Sequence, residues 1–235
     1  MKRSRPVVVI SGISSGIGLA TARRFRSDGW QVIGVDIDAS PETFADEMIV
    51  ADLAHLAGIN FAEGQLSGQR TCAFVHSAGV MRDDADDETL VDAGATLWTL
   101  HVGAAARLAQ TLLPNMPDQR GRLVFLSSRA ARGRAGRGLY SASKAALDGL
   151  IRSLAIEQAP RGITVNAVAP AATQTPQLTD PARENAAVQP LPIGRVIQPD
   201  EVAATIAFLA SEDAGAITGQ TIYQCGGASI AGANR

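Results

Sequence analysis

SGISSGIG, residues 11–18, follows the apolar run PVVVIS at residues 6–11 and leads directly into LATARRF at residues 19–25. Read in order, this is a buried strand, a glycine-rich turn and the start of a helix. Gly12, Gly16 and Gly18 allow the backbone to turn sharply, to approach a pyrophosphate closely and to pack the helix on a sheet, while the helix N-terminus offers unpaired N–H groups to an anion. Glycine spacing alone is weak, but in this strand-to-helix setting it favours a dinucleotide site.

Six further short apolar runs continue the rhythm: WQVIGVD (30–36), MIVAD (48–52), TCAFVHS (71–77), RLVFLSS (122–128), ITVNAVA (163–169) and QTIYQCG (220–226). Helical spacing intervenes. The clearest case places Leu147, Leu150, Ile151, Leu154 and Ala155 on one face before Pro160 and Gly162. Another helix is expected from about Leu90 to Leu113, stopping at Pro114, and a third opens near Pro199 and buries Val202, Ile206 and Leu209. Strands alternating with helices predict an α/β fold, a doubly wound parallel sheet covered on both faces. At 235 residues the chain suits one such domain, 1–235.

The composition, 46% hydrophobic and 19% charged, excludes disordered and fibrous classes. A net charge of −2 gives no broad attraction to nucleic acid or anionic membrane. The apolar run at residues 7–10 is too short for a signal-peptide core or a membrane span, so a cytoplasmic protein is expected. Cys72 and Cys225 belong to no metal-ligand spacing and read as reduced structural thiols. No metal is expected, because His76 and His101 lack supporting Asp or Cys spacing.

Asp36 ends the second strand, 18 residues after Gly18, near the spacing expected for a carboxylate that accepts hydrogen bonds from an adenosine ribose diol. No Lys or Arg interrupts residues 12–18 and Ile37 follows Asp36, so nothing is placed to neutralise a 2′-phosphate. NAD is expected over NADP.

In LYSASKAAL (139–147), Tyr140 and Lys144 are four residues apart at the start of the clearest helix, on one face. A free phenol has a pKa of about 10, and a nearby ammonium lowers it. Such a pair can exchange a proton with an alcohol near neutral pH. Ser127 and Ser128 end a strand at the sheet edge where ligands bind, and a hydroxyl there can steady a carbonyl or alkoxide oxygen.

From SGISSGIG through Asp36, HSAG (76–79), the serine pair, YSASK and VNAVAP (165–170) to the TGQTIYQCGG ending, the chain resembles the short-chain dehydrogenase/reductase family over essentially its whole length. The resemblance implies strand order 3-2-1-4-5-6-7 and hydride transfer between NAD and a secondary alcohol or its ketone. It implies Tyr140 as acid/base, Lys144 as the group that lowers its pKa and holds the nicotinamide ribose, and Ser128 as the orienting hydroxyl. Ser14, Ser15, Ile17, Leu53, Ala78, Gly79, Pro170 and Thr173 join the cofactor contacts by the same resemblance, with Asp52 beside the adenine and Thr175 at the carboxamide. Similar proteins form homodimers and homotetramers.

The departures are specific. His76 and Ser77 stand where the family commonly has two asparagines, Ala171 replaces a glycine after Pro170, and Cys225 replaces an acidic residue. Counting back 13 residues from Pro114 places His101 where the family has a catalytic asparagine, thought to hold a water that connects the lysine to solvent. The imidazole is expected either to keep that proton path open or to displace the water. Residues 129–138 carry four arginines, which read either as a subsite for an anionic substrate or, more ordinarily, as a solvated or subunit-contact loop. That loop, a flap at 172–198, Val80 and Met81 are expected to shape the substrate pocket. A rival reading, suggested by His76, His101 and Ala171, is a dinucleotide-binding regulatory protein with little catalysis; intact Ser128, Tyr140 and Lys144 argue against it.

Overall fold

The computed structural model describes residues 5–39, 44–84, 89–178 and 190–231. Part of the flap, residues 179–189, lies outside the described residues. Seven strands, β1 (Val7–Ser11), β2 (Gln31–Asp36), β3 (Glu47–Val50), β4 (Ala73–His76), β5 (Arg122–Leu126), β6 (Thr164–Val168) and β7 (Thr221–Ile222), form one sheet in the order β3-β2-β1-β4-β5-β6-β7. Every pairing is parallel, and Ser11 stands opposite His76. The doubly wound sheet expected from the sequence is therefore observed.

Alternation along β1 sends Val8 and Ile10 to one side and Val9 to the other, so the two sides of the sheet belong to separate cores. One core takes Ala22 and Phe25 from α1 (Gly16–Ser27) with Val202, Ile206 and Leu209 from α6 (Pro199–Leu209). The other takes Ile59 and Leu66 from α2 (Leu56–Leu66), Leu108 and Leu112 from α4 (Ala104–Leu112), and Leu147, Ile151 and Leu154 from α5 (Gly138–Gln158).

Two boundaries differ from the sequence expectation. The helix expected over about 90–113 is broken: α3 (Thr89–Trp98) gives way to a π-helical turn, Thr99–Gly103, before α4. At that turn the Ala104 N–H reaches back to the Thr99 carbonyl, five residues away, where an α-helix would use Leu100. The last strand is shorter than QTIYQCG: just past Ile222 the Gln224 N–H turns back to the Ile222 carbonyl at 3.1 Å, and further on Gly226 and Gly227 adopt positive φ (54° and 85°).

The order in which the strands are laid down reverses at β1, with β2 on one side of it and β4 on the other, which leaves a crevice beyond the carboxyl ends of β1 and β4. The flap is anchored beside it at both ends. Ile197 N–H donates to the Ala172 carbonyl and Gln174 N–H to the Ile197 carbonyl, each at 2.9 Å, so the two ends pair as a parallel bridge.

Candidate active site

The crevice opens into a cavity of about 890 Å³, lined at one end by the glycine turn and at the other by the Tyr140 face of α5. The glycines are required by space as well as by φ. Gly12 has φ 72°, and a Cβ there would lie 2.5 Å from the Ala78 nitrogen; a Cβ on Gly18 would lie 1.8 Å from the Gly12 carbonyl oxygen. The turn thus presses against the loop after β4 and against its own helix. Ser15, at the N-cap of α1, makes no side-chain capping bond, and no acidic side chain occupies the first turn. That leaves the positive end of the helix directed at the cavity, as an anionic group requires.

Asp36 is fixed beside this turn: Oδ2 accepts from Ser14 N–H at 2.8 Å and Oδ1 from Ile37 N–H at 2.7 Å. Beyond it, Asp52, Leu53, Ala54 and His55 complete the wall supplied after β2 and β3, a wall with two carboxylates and no Lys or Arg. Asp52 Oδ1 accepts from Ala54 N–H at 2.9 Å. Ser14 itself is turned away, its hydroxyl donating to the Asp38 carbonyl at 2.7 Å, and it does not line the cavity. Thr175 folds over the glycine turn, its Cγ2 only 3.0 Å from where a Gly16 Cβ would stand. Thr173 lines the cavity with its hydroxyl committed to the Ala171 carbonyl at 2.9 Å.

At the other end, Ser128, Tyr140 and Lys144 open into the same cavity. The two serines divide their work. Ser127 is buried and donates to the Lys144 carbonyl at 3.2 Å, joining β5 to α5, while Ser128 Oγ accepts from Ala130 N–H at 3.1 Å and so retains its own hydrogen for another acceptor. Lys144 is 4% exposed, and its ammonium donates to the Leu126 carbonyl at 2.9 Å. Burial lowers its pKa to about 7 from an ordinary value of 10.5.

His101 does not line the cavity. It sits behind Gly79, fully buried, its ring edge-to-face with Tyr140 at 5.7 Å between centroids. Its Nε2 meets Val80 N–H at 3.2 Å and its Nδ1 meets Ser143 Oγ at 2.9 Å. The sequence left two roles for this ring, keeping a proton path open or displacing its water, and the structure seats it behind the cavity lining, between Val80 and Ser143. Ser143 and Val80 are partners the sequence reading did not assign, although Ser143 stands one helical turn after Tyr140.

The arginine loop is divided. Arg132 stacks over Tyr223 at 5.3 Å and stays out of the lining, whereas Arg129, Arg134 and Arg137 reach the cavity, with Arg137 paired to Asp83. Val80 and Met81 line it as expected.

A family described as enoyl-(acyl carrier protein) reductase matches residues 12–229. The chain belongs to the short-chain dehydrogenase/reductase family of oxidoreductases. Among its relatives, the (2S)-[(R)-hydroxy(phenyl)methyl]succinyl-CoA dehydrogenase subunit BbsD of Thauera aromatica is 34% identical over 243 residues, covering 95% of this chain and 96% of the relative. The ligand-free aldohexose dehydrogenase of Thermoplasma acidophilum superposes with a TM-score of 0.86 at 27% identity, over 96% of this chain and 94% of that one. A blue fluorescent protein from a metagenomic library, in complex with NADPH, superposes with a TM-score of 0.85 at 30% identity, over 95% and 97%. Nicotinamide cofactors are those of the family, and no described helix here is long and apolar enough to cross a membrane.

Proposed function

We propose that this protein is an NAD-dependent oxidoreductase that interconverts a secondary alcohol and its ketone. The observation that carries the reading is one cavity holding, at one end, the glycine turn and a helix N-terminus that no side chain caps and, at the other, Ser128, Tyr140 and Lys144. The residues present fit a dinucleotide: the glycine turn excludes side chains where a pyrophosphate would approach, and Asp36 stands at the cavity wall with its carboxylate held by two backbone N–H groups.

The nicotinamide ring, when bound, supplies or takes the hydride. In the reducing direction Tyr140 gives its phenolic proton to the substrate oxygen while the Ser128 hydroxyl donates a hydrogen bond to the same atom. Lys144, on the same helix face, favours the phenolate that remains. In the oxidising direction the phenolate takes the alcohol proton. Asp36 supports NAD, since its negative charge opposes a 2′-phosphate and the adjoining wall offers no cation. The NADPH complex of the structural neighbour is the reason to test this directly.

The substrate is proposed to be an anion. Arg129 and Arg134 line the cavity near Ser128, and the Thauera relative is named for a succinyl-CoA substrate. Association into a homodimer or homotetramer, of which light scattering gives the mass, is supported by Val91 and Trp98 of α3, 76% and 54% exposed.

The deciding experiment follows NADH absorbance with panels of secondary alcohols and ketones, for the wild type and Tyr140→Phe. Turnover that falls at least about 100-fold in the variant, with NADH binding retained, is expected. NADH binding with no turnover on any substrate would favour the regulatory alternative, and a fully active Tyr140→Phe would remove the acid/base assignment.

A further inference from the structure

Two of this chain's three histidines, His76 and His101, are wholly buried beside the active site, and every ring nitrogen in them is engaged. Their partners fix which nitrogen carries hydrogen. His76 Nε2 lies 3.1 Å from the Leu100 carbonyl, which only accepts, so Nε2 is the N–H and Nδ1 accepts from the Ser11 hydroxyl at 2.8 Å. The Leu100 carbonyl is the one that the π-helical turn releases, since Ala104 N–H bonds to Thr99 instead.

His101 has the opposite arrangement. The Val80 backbone N–H only donates, so Nε2 is the bare nitrogen and Nδ1 is the N–H. Nδ1–H then donates to Ser143 Oγ, whose own hydrogen goes to the Tyr140 carbonyl at 2.8 Å. The chain of bonds runs from the loop after β4, through the imidazole, to the first turn of α5. Ala78 N–H is held in the same loop by Ser11 Oγ at 3.4 Å. Between these two anchors lies Gly79, where an added Cβ would stand 3.0 Å from His101 Nε2 and 3.3 Å from Lys144 Nζ.

Charge on either ring is opposed first by burial and next by Lys144, which brings His76 down to about 3 and His101 lower still, with His76 adding to the opposition at His101. A ring that stays neutral, with its lone pair given to a backbone N–H and its hydrogen given to a serine, has neither a proton to deliver nor a site to receive one.

We propose that His101 is a positioning residue: a neutral Nδ1–H imidazole that ties Val80 to Ser143, and so sets the Tyr140–Lys144 turn against the cofactor loop without carrying a proton. The proposal rests on Tyr140 and Lys144 performing the chemistry, but its first test needs no turnover. With three histidines in the chain, two-bond ¹H–¹⁵N spectra of histidine-labelled protein resolve each ring. Between pH 5.5 and 9, His101 is expected to hold the Nδ1–H pattern and His76 the Nε2–H pattern. An Nε2–H pattern at His101, or titration of its ring in that range, overturns the proposal.

The second test uses turnover. His101→Leu removes both bonds; His101→Gln restores an acceptor for Val80 N–H but has no titrating nitrogen. The Leu variant is expected to lose at least about tenfold in kcat, and the Gln variant to recover most of that loss with a kcat–pH profile superimposable on the wild type. A Leu variant equal to the wild type, or a Gln variant that binds NADH normally yet is as slow as Leu, overturns it. If the wild type turns over no substrate, the hydride-transfer reading fails while the spectra still decide the state of His101.

Discussion

Replacing Lys144 with Met should make the cofactor-free protein more stable at neutral pH and less active, and the stability gain should fade as pH rises. The reason is the depressed pKa. The folded state holds this ammonium in a buried site where its pKa falls to about 7, against 10.5 when unfolded. At about 1.4 kcal/mol per pH unit between the two values, the charged lysine costs the fold on the order of 5 kcal/mol below pH 7. Between pH 7 and 10.5 the unfolded chain keeps a proton that the folded chain has released, so wild-type stability rises with pH; above both values the penalty is gone. Methionine carries no charge and fills a similar volume, but it leaves the Leu126 carbonyl without the ammonium bond, a pH-independent loss of about 1–3 kcal/mol. The net advantage of Lys144→Met should be about 2–4 kcal/mol at pH 6, and should shrink by about 3 kcal/mol by pH 9.5 as the lysine deprotonates.

Urea unfolding of both proteins at pH 6, 7.5 and 9.5, without cofactor, measures that difference directly. Lys2 and Lys144 are the chain's two lysines, so ¹³C-lysine NMR gives two signals and reads the pKa independently. A wild-type-minus-variant difference that stays constant with pH, or a Lys144 signal that titrates near 10, would refute the reasoning.

Asp36→Ala should narrow the preference for NADH over NADPH by roughly 30-fold, or about 2 kcal/mol, because the carboxylate opposing the 2′-phosphate is removed; fluorescence titration with both nucleotides checks it, and an unchanged ratio would refute it. Gly18→Ala should abolish nucleotide binding or soluble expression, since its Cβ would lie 1.8 Å from the Gly12 carbonyl oxygen. Arg129→Ala should raise KM for a carboxylate-bearing substrate by about tenfold or more and leave KM for its neutral ester nearly unchanged; equal effects on both would remove Arg129 from substrate recognition.

Much of this site was legible because its chemistry depends on residues that also shape the backbone. Gly12 and Gly18 announce themselves by spacing, and the structure shows that neither tolerates a Cβ. Tyr140 and Lys144 are legible because helical geometry puts positions four apart on one face. Family resemblance alone distinguishes Ser128 from Ser127 in the sequence, and the structure adds a physical basis: the Ser127 hydroxyl is used to join β5 to α5. The setting of His101 is not legible in the sequence. A helix read from 90 to 113 with one period loses phase at the π-helical turn, which turns Leu100 and His101 inward together and frees a carbonyl that the pattern cannot reveal. The two unusual histidines are consequently one feature. His76 takes the hydrogen bond that the π turn gives up, and His101, carried by that turn, takes the Val80 N–H of the loop that begins one residue after His76. Substituting His76 should therefore disturb Lys144 as well as the helix, because the loop between the two rings is the wall against which the lysine packs.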